Sequence, residues 1–310
     1  MGAWQIGGDW GNVDEDAALA TLRAAVEAGV NLIDTADVYG DGRSEQLIGR
    51  FLRSQPAGTV TVATKMGRRV EQRPEAYNLD NFREWTDRSR RNLGVDTLDL
   101  VQLHCPPTPV FSSDSVYEAL DTLVQEQRIA NYGVSVETAA QALTAIAHPG
   151  VATVQIIFNM LRLKPLDEVL PAAAAAGVGI LARVPLASGM LSGRYDEKTT
   201  FAPDDHRNYN RHGAAFDVGE TFSGVDYDIA LAAVRRLSPL AADKATMAQF
   251  ALRWIIDHPA VSAVIPGAHR PEQARANAAT ADLPPLDRPT HEAVRAIYDD
   301  LVRPSVHDRW

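Results

Sequence analysis

A single cysteine, Cys105, stands among the 310 residues, so no disulfide can form within the chain and a reducing compartment, the cytoplasm, is the expected setting. The opening MGAWQIGGDW has neither a charged leader nor an apolar core of a signal sequence. Gly2 follows Met1 as in myristoylated chains, but Ile6 stands where Ser or Thr is needed. Positive charge is in deficit: 30 Lys+Arg against 40 Asp+Glu give a net charge of -10. No basic block interrupts that balance, which excludes a nucleic-acid surface, because phosphate neutralisation needs clustered cations. Long apolar runs are missing too. The stretch 169–182 is broken by glycine and too short for a bilayer core of about 30 Å, so no membrane partner is expected. There is no internal repeat, and the Ala-rich tract at 172–176 needs no more than its helix propensity to explain it.

What is present is 45% apolar residues and 23% charged, enough for a sizeable core. From residue 13, β-branched runs alternate with stretches of helical period. The runs are 30–34, 59–65, 98–104, 129–135, 151–159, 178–185 and 261–267. Helical patterns lie near 14–29, 42–54, 78–93, 115–127, 136–147, 166–176, 225–237 and 243–257. Strands that are nearly all apolar are buried on both faces, as parallel strands under helices are, and right-handed crossovers wind such a sheet in one direction. A doubly wound open sheet would carry a Gly-x-Gly-x-x-Gly turn after its first strand, and none occurs at 34–45.

The reading is therefore α/β, a (β/α)8 TIM-type barrel forming one domain over 1–310. Seven strands are visible. The eighth has room only in MGAWQIGG, so the first strand and N-terminal hairpin are expected to be truncated and the chain as printed to have low stability, since an opened barrel exposes an edge. Residues 186–223 lack a sustained period and read as a long loop covering cofactor and substrate.

Barrel chemistry sits at the C-terminal ends of the strands. There the chain places Asp34, Lys65 and His104 on successive runs, with Tyr39 five residues after Asp34. Each has a plain structural explanation alone: a helix cap, a snorkelling ammonium, a packed aromatic, a core histidine. Together, a carboxylate, an ammonium, an imidazole and a phenol on neighbouring strands form a proton-transfer set. They form neither a metal site nor a nucleophilic triad, and Cys105 is read as a small packed side chain.

The segments GVNLIDTADVYGDGRSEQLIG, ATKMG, DTLDLVQLH, YGVS, ARVPLASGMLSGRY and IPGAHRPEQARANAA, with Gln155 and Asn159 between them, resemble the aldo-keto reductases over essentially the whole chain. The resemblance implies a barrel that binds nicotinamide without a dinucleotide fold and a catalytic set of Asp34, Tyr39, Lys65 and His104. Tyr39 would give a proton to a carbonyl oxygen. A phenol titrates near 10, and bringing it to about 7 takes about 4 kcal/mol, part of which Lys65 would supply. Asp34 would hold Lys65, and His104 would donate to the carbonyl oxygen.

The resemblance also implies the cofactor positions. Ser135 and Gln155 correspond to the pair that binds the nicotinamide carboxamide, although Val136 replaces the usual Asn. Arg183 takes the place from which many members stack a Tyr on the nicotinamide. Pro185, Leu186, Ser188, Gly189, Leu191, Gly193 and Arg194 correspond to the loop over the pyrophosphate. Gly267 opens a helix N-terminus suited to phosphate, His269 and Arg270 stand where the 2'-phosphate of NADP is read, and Gln273 and Asn277 where adenine is touched; Ala276 replaces a common Glu. NADPH is favoured over NADH. Trp4, Trp10 and the VHDRW tail offer aromatics for a substrate pocket or for packing. The implied function is reduction of an aldehyde or ketone, a small-molecule carbonyl, by NADPH. Two alternatives remain: a nicotinamide-binding sensor or regulatory subunit with slow turnover, and a barrel using Lys65 as a Schiff-base amine.

Overall fold

The computed structural model describes residues 1–7, 14–242 and 245–310. Its sheet has seven strands, β1 (Leu32–Asp34), β2 (Thr61–Met66), β3 (Leu98–His104), β4 (Ile129–Ser135), β5 (Val151–Ile157), β6 (Gly179–Arg183) and β7 (Val261–Val264), in that order with every pairing parallel. β3 and β4 coincide with the runs read from the sequence, because both are apolar and buried over most of their length.

The ring is nearly closed. Gly2 forms parallel bridges with both Asp34 and Gly267. Its amide donates to the Pro266 carbonyl at 2.9 Å, while Ala3 N donates to Asp34 O and Asp34 N to Met1 O, each at 2.8 Å. Three residues thus stand where the sequence expected a shortened first strand, and they satisfy the upper edges of β1 and of the chain after β7.

Helices cover the outside. Glu15–Glu27, Leu79–Leu93, Ala139–Ile146 and Met247–Ile256 start at Asp14, Asn78, Thr138 and Thr246, whose side chains accept from first-turn amides. The last two are full capping boxes, with Gln141 and Gln249 reaching back. One large core packs these helices against the sheet. A smaller cluster of Ala63, Leu100 and Leu181 is separate, with Leu32 and Ala263 against it. Residues two apart on a strand share a face. Leu32, Ala63 and Leu100 therefore lie one layer below Asp34, Lys65 and Gln102, and an apolar floor supports a polar rim.

The segment after β6 forms short turns and helices, including Ala187–Ser192, His206–Tyr209, Val218–Glu220 and Phe222–Gly224. Trp310 is 7% exposed and packs on this segment rather than into a pocket: its indole donates to Asp217 at 3.2 Å, and the Arg162 guanidinium lies 3.6 Å from its ring centre. Trp10 lies outside the described residues. Among the described residues no helix is long and apolar enough to cross a membrane, and no cluster of His, Cys, Asp and Glu could hold a metal ion.

Candidate active site

The Lys65 ammonium, at the end of β2, is 1% exposed. It donates to Asp34 Oδ1 at 2.6 Å, to the Thr35 carbonyl at 2.8 Å and to the Tyr39 hydroxyl at 3.3 Å. Burial opposes its charge, but Asp34 and then Tyr39 outweigh that and hold Lys65 above its ordinary value. The other Asp34 oxygen accepts from Gln155 Nε2 at 2.7 Å and from Gln102 Nε2 at 3.4 Å. Gln102 was not singled out from the sequence. The signal was there, since an amide in the middle of LDLVQLH breaks an otherwise apolar strand interior.

Tyr39 stands in the turn Tyr39–Gly42, where Gly40 has φ +58°. A Cβ on Gly40 would lie 1.9 Å from the Gly7 carbonyl oxygen, so glycine is what lets the helical turn Trp4–Gly7 close over the tyrosine. The Trp4 indole stacks on the phenol, centroids 6.0 Å apart, and the His104 ring meets it edge-on at 5.9 Å. Burial raises the phenol, Lys65 pulls it down, and Asp34 and Glu220 push it up; the net direction is upward. The lowering expected from Lys65 alone is thus outweighed, and the hydroxyl keeps its proton. His104 is 5% exposed and is held well below its ordinary value by burial and by Arg68, Lys65 and Arg183. It is neutral, and its Nδ1 has no hydrogen-bond partner.

A cavity of about 950 Å³ opens above this rim. Asp34, Tyr39, Gln155 and Arg183 form its floor and wall, and Pro185, Leu186, Ser188, Gly189 and Arg194 line one side. Gly267, His269, Arg270, Gln273 and Asn277 line the far end, and Trp4 stands at the edge. Lys65 and His104 do not line it themselves: Lys65 touches Asp34 and Tyr39, which do, and the His104 ring lies against Tyr39. Ser135 is 1% exposed, 3.4 Å from the Cys105 sulfur, and does not line the cavity; nor do Leu191 and Gly193.

Arg183 is buried at the end of β6. Its Nη1 lies 2.6 Å from Glu220 Oε1, and its Nη2 donates to the Val136 carbonyl at 2.9 Å. Val136, which replaces the usual Asn, thus serves through its backbone. Glu220 had no signal in the sequence, as it lies in an aperiodic stretch 37 residues beyond its partner.

The far end fits a phosphorylated ligand. The helix Pro271–Ala278 begins at Arg270 without a side-chain cap. Pro271 has no amide hydrogen and the Gln273 and Ala274 amides donate to the Arg270 carbonyl, so among the described residues the Glu272 amide is the first-turn donor left open. Among the described residues the guanidinium groups of Arg194 and Arg270 form no ion pair and no side-chain hydrogen bond, although both line the cavity. Gln273 and Asn277 are held by the His269 amide and the Gly267 carbonyl, at 3.1 and 3.3 Å. The volume suits a large ligand. The orphaned His104 Nδ1 and Arg183 Nε mark the opposite end as short of polar partners. A nicotinamide dinucleotide, with an amide at one end and phosphates at the other, matches that arrangement.

The fold and this rim define a barrel of the carbonyl-reductase type. The model of the Aldo/keto reductase family matches residues 1–299, and the chain belongs to that family. It is 31% identical to the aldo-keto reductase YhdN of Bacillus subtilis, across 89% of this chain and 82% of the relative. It is 28% identical to a probable voltage-gated potassium channel subunit beta of Arabidopsis thaliana, across 93% and 88%. Among solved structures, the glycerol dehydrogenase of Gluconobacter oxydans superposes with a TM-score of 0.78 at 30% identity, covering 99% of this chain and 91% of that one.

Proposed function

We propose that the protein reduces an aldehyde or ketone with NADPH, and that Asp34, Tyr39, Lys65 and His104 carry the proton side of the reaction. The observation that carries the reading is Lys65, buried and shared between Asp34 and the Tyr39 hydroxyl. When bound, the reduced nicotinamide supplies a hydride to the carbonyl carbon. The residues that would hold it are Gln155 and Arg183 at the rim, Pro185, Leu186, Ser188, Gly189 and Arg194 along the pyrophosphate, and Gly267, His269, Arg270, Gln273 and Asn277 at the adenosine end; Ser135, Leu191 and Gly193 lie off the cavity.

Tyr39 gives its proton to the carbonyl oxygen. Because burial and the two carboxylates keep that proton in place, the acid is protonated before substrate arrives. As the proton leaves, the phenolate faces a cation that Asp34 and Thr35 have already oriented, so little reorganisation accompanies the transfer. Neutral His104 can donate a hydrogen bond to the same oxygen but does not compete as the acid. Trp4 covers the phenol and keeps bulk water from its face. Arg194 and Arg270 are the only cations in the cavity wall without a partner among the described residues, which favours NADPH and its extra phosphate over NADH.

The test is NADPH consumption by the purified chain with a reactive aromatic aldehyde, beside Tyr39→Phe. Turnover that falls by about 10²–10⁴ in the variant, with an unchanged melting curve, supports the reading. Retention of most of the rate sinks it. The likeness to a channel subunit supports a second reading, a nicotinamide sensor. Tight NADPH binding with negligible turnover in the unaltered chain would favour it.

A further inference from the structure

The segment that carries Glu220 is more firmly built than a covering loop needs to be. Ser188 Oγ donates to the Glu220 carbonyl at 3.0 Å and accepts from the Phe222 amide at 3.2 Å. On its outer side Asp217 accepts from the Gly219 amide at 2.7 Å and from the Trp310 indole. The indole lies against two glycines: a Cβ on Gly224, at φ +74°, would come within 2.3 Å of it, and one on Gly219 within 3.3 Å. Arg162, beneath that ring, donates to the Ser223 carbonyl. The result of these ties is a single placement for the Glu220 carboxylate, 12% exposed, on the cavity wall against Arg183.

Among the described residues Arg183 forms an ion pair with no second carboxylate. Its remaining contacts are the Val136 carbonyl and, at 3.8 Å, the Cys105 sulfur. A long side chain ending over the barrel mouth has several rotamers open to it, and fixing one takes a partner of opposite charge in a dry setting.

We infer that Glu220 is a positioning residue, which fixes the Arg183 guanidinium at the nicotinamide end of the cavity and balances its charge beside Tyr39. The inference rests on the proposed nicotinamide binding. Without the carboxylate, Arg183 would be a buried, mobile, uncompensated cation next to the phenol. The geometry would then loosen cofactor binding, and the charge would make the Tyr39 proton easier to lose.

The experiment measures NADPH dissociation constants by nicotinamide fluorescence for the unaltered chain, Glu220→Gln, Glu220→Asp, Arg183→Gln and the double variant with both Gln changes. Glu220→Gln should bind about tenfold more weakly, with Glu220→Asp recovering most of the loss. Because Glu220 acts through Arg183, the double variant should bind no more weakly than Arg183→Gln alone. Losses that multiply, or a Glu220→Gln that binds like the unaltered chain, overturn the inference. If the single variant does not fold, the double variant, which leaves no charge unpaired, decides by the same comparison with Arg183→Gln. A second readout needs no cofactor: the alkaline titration of phenolate absorbance, taken as the difference from Tyr39→Phe, should move to lower pH when Glu220→Gln is introduced, and no movement counts against the inference. Failure of the unaltered chain to bind NADPH would defeat the proposed function instead, and the Tyr39 titration would still decide the role of Glu220.

Discussion

Lys65 Nζ lies 2.6 Å from Asp34 Oδ1, with side-chain exposures of 1% and 4%, so the two charges neutralise each other inside the barrel mouth. Removing either partner leaves the other charged and dry. Asp34→Asn is expected to destabilise the fold by about 3–5 kcal/mol, read as a lower urea midpoint. Replacing both, as Asp34→Asn with Lys65→Met, should cost less than the sum of the single changes. Additive losses would mean that the pair is not coupled.

Arg194 and Arg270, which line the cavity and form no ion pair among the described residues, predict a cofactor preference under the proposed function. Arg270→Ala should weaken NADPH binding by about 10-fold or more and leave NADH nearly unchanged, measured by calorimetric titration of both cofactors. An equal loss for both would move the 2'-phosphate elsewhere.

Asp37 predicts a pH dependence. It is 1% exposed, Oδ1 has no partner, and its pKa is raised to about 7, by burial first and then by Glu45, against the pull of Arg69 and Arg88. Between the usual carboxylate value near 4 and about 7, the folded chain keeps a proton that the unfolded chain releases. Stability from this group is therefore greatest below pH 4 and declines as pH rises towards 7, by at most about 4 kcal/mol. Asn at this position cannot ionise. The unfolding free energy of Asp37→Asn relative to the unaltered chain should thus improve from pH 4 to pH 8, and a flat difference would contradict the assignment.

Gly224 predicts the mechanical role of Trp310. Gly224→Ala places a methyl against the indole at a backbone angle that favours glycine. Faster amide hydrogen exchange over residues 217–224 is the expected outcome, with the strands unaffected. Trp310→Ala should speed exchange in the same segment by removing the partner ring. Unchanged exchange in both would show that the segment is held without Trp310.

Much of the site was legible because barrel strands end in a row. Asp34, Lys65 and His104 close apolar runs, and a buried parallel strand has few reasons to end in a charge, so they could be placed on one rim without coordinates. Ser135 was legible as a strand end but not as a buried one: it is 1% exposed, with the sulfur of Cys105, a residue at φ +48°, 3.4 Å from its hydroxyl. Gln155 was read as a cofactor contact; it lines the cavity, and the donation of its Nε2 to Asp34 was not foreseen. Sequence gives the residue's height on the strand, but its choice of partner depends on what the neighbouring strands place at that height.

The sequence by itself determined the alternation of strands and helices, and with it the rim on which Asp34, Lys65 and His104 meet. Periodicity and strand ends are local properties, written within ten residues or so of each other. Tertiary structure alone decided that Glu220 meets Arg183, that Trp310 packs on the segment carrying Glu220, and that Tyr39 keeps its proton. Those outcomes depend on contacts across an aperiodic stretch and on a balance of burial against several charges, and neither is encoded in any local pattern.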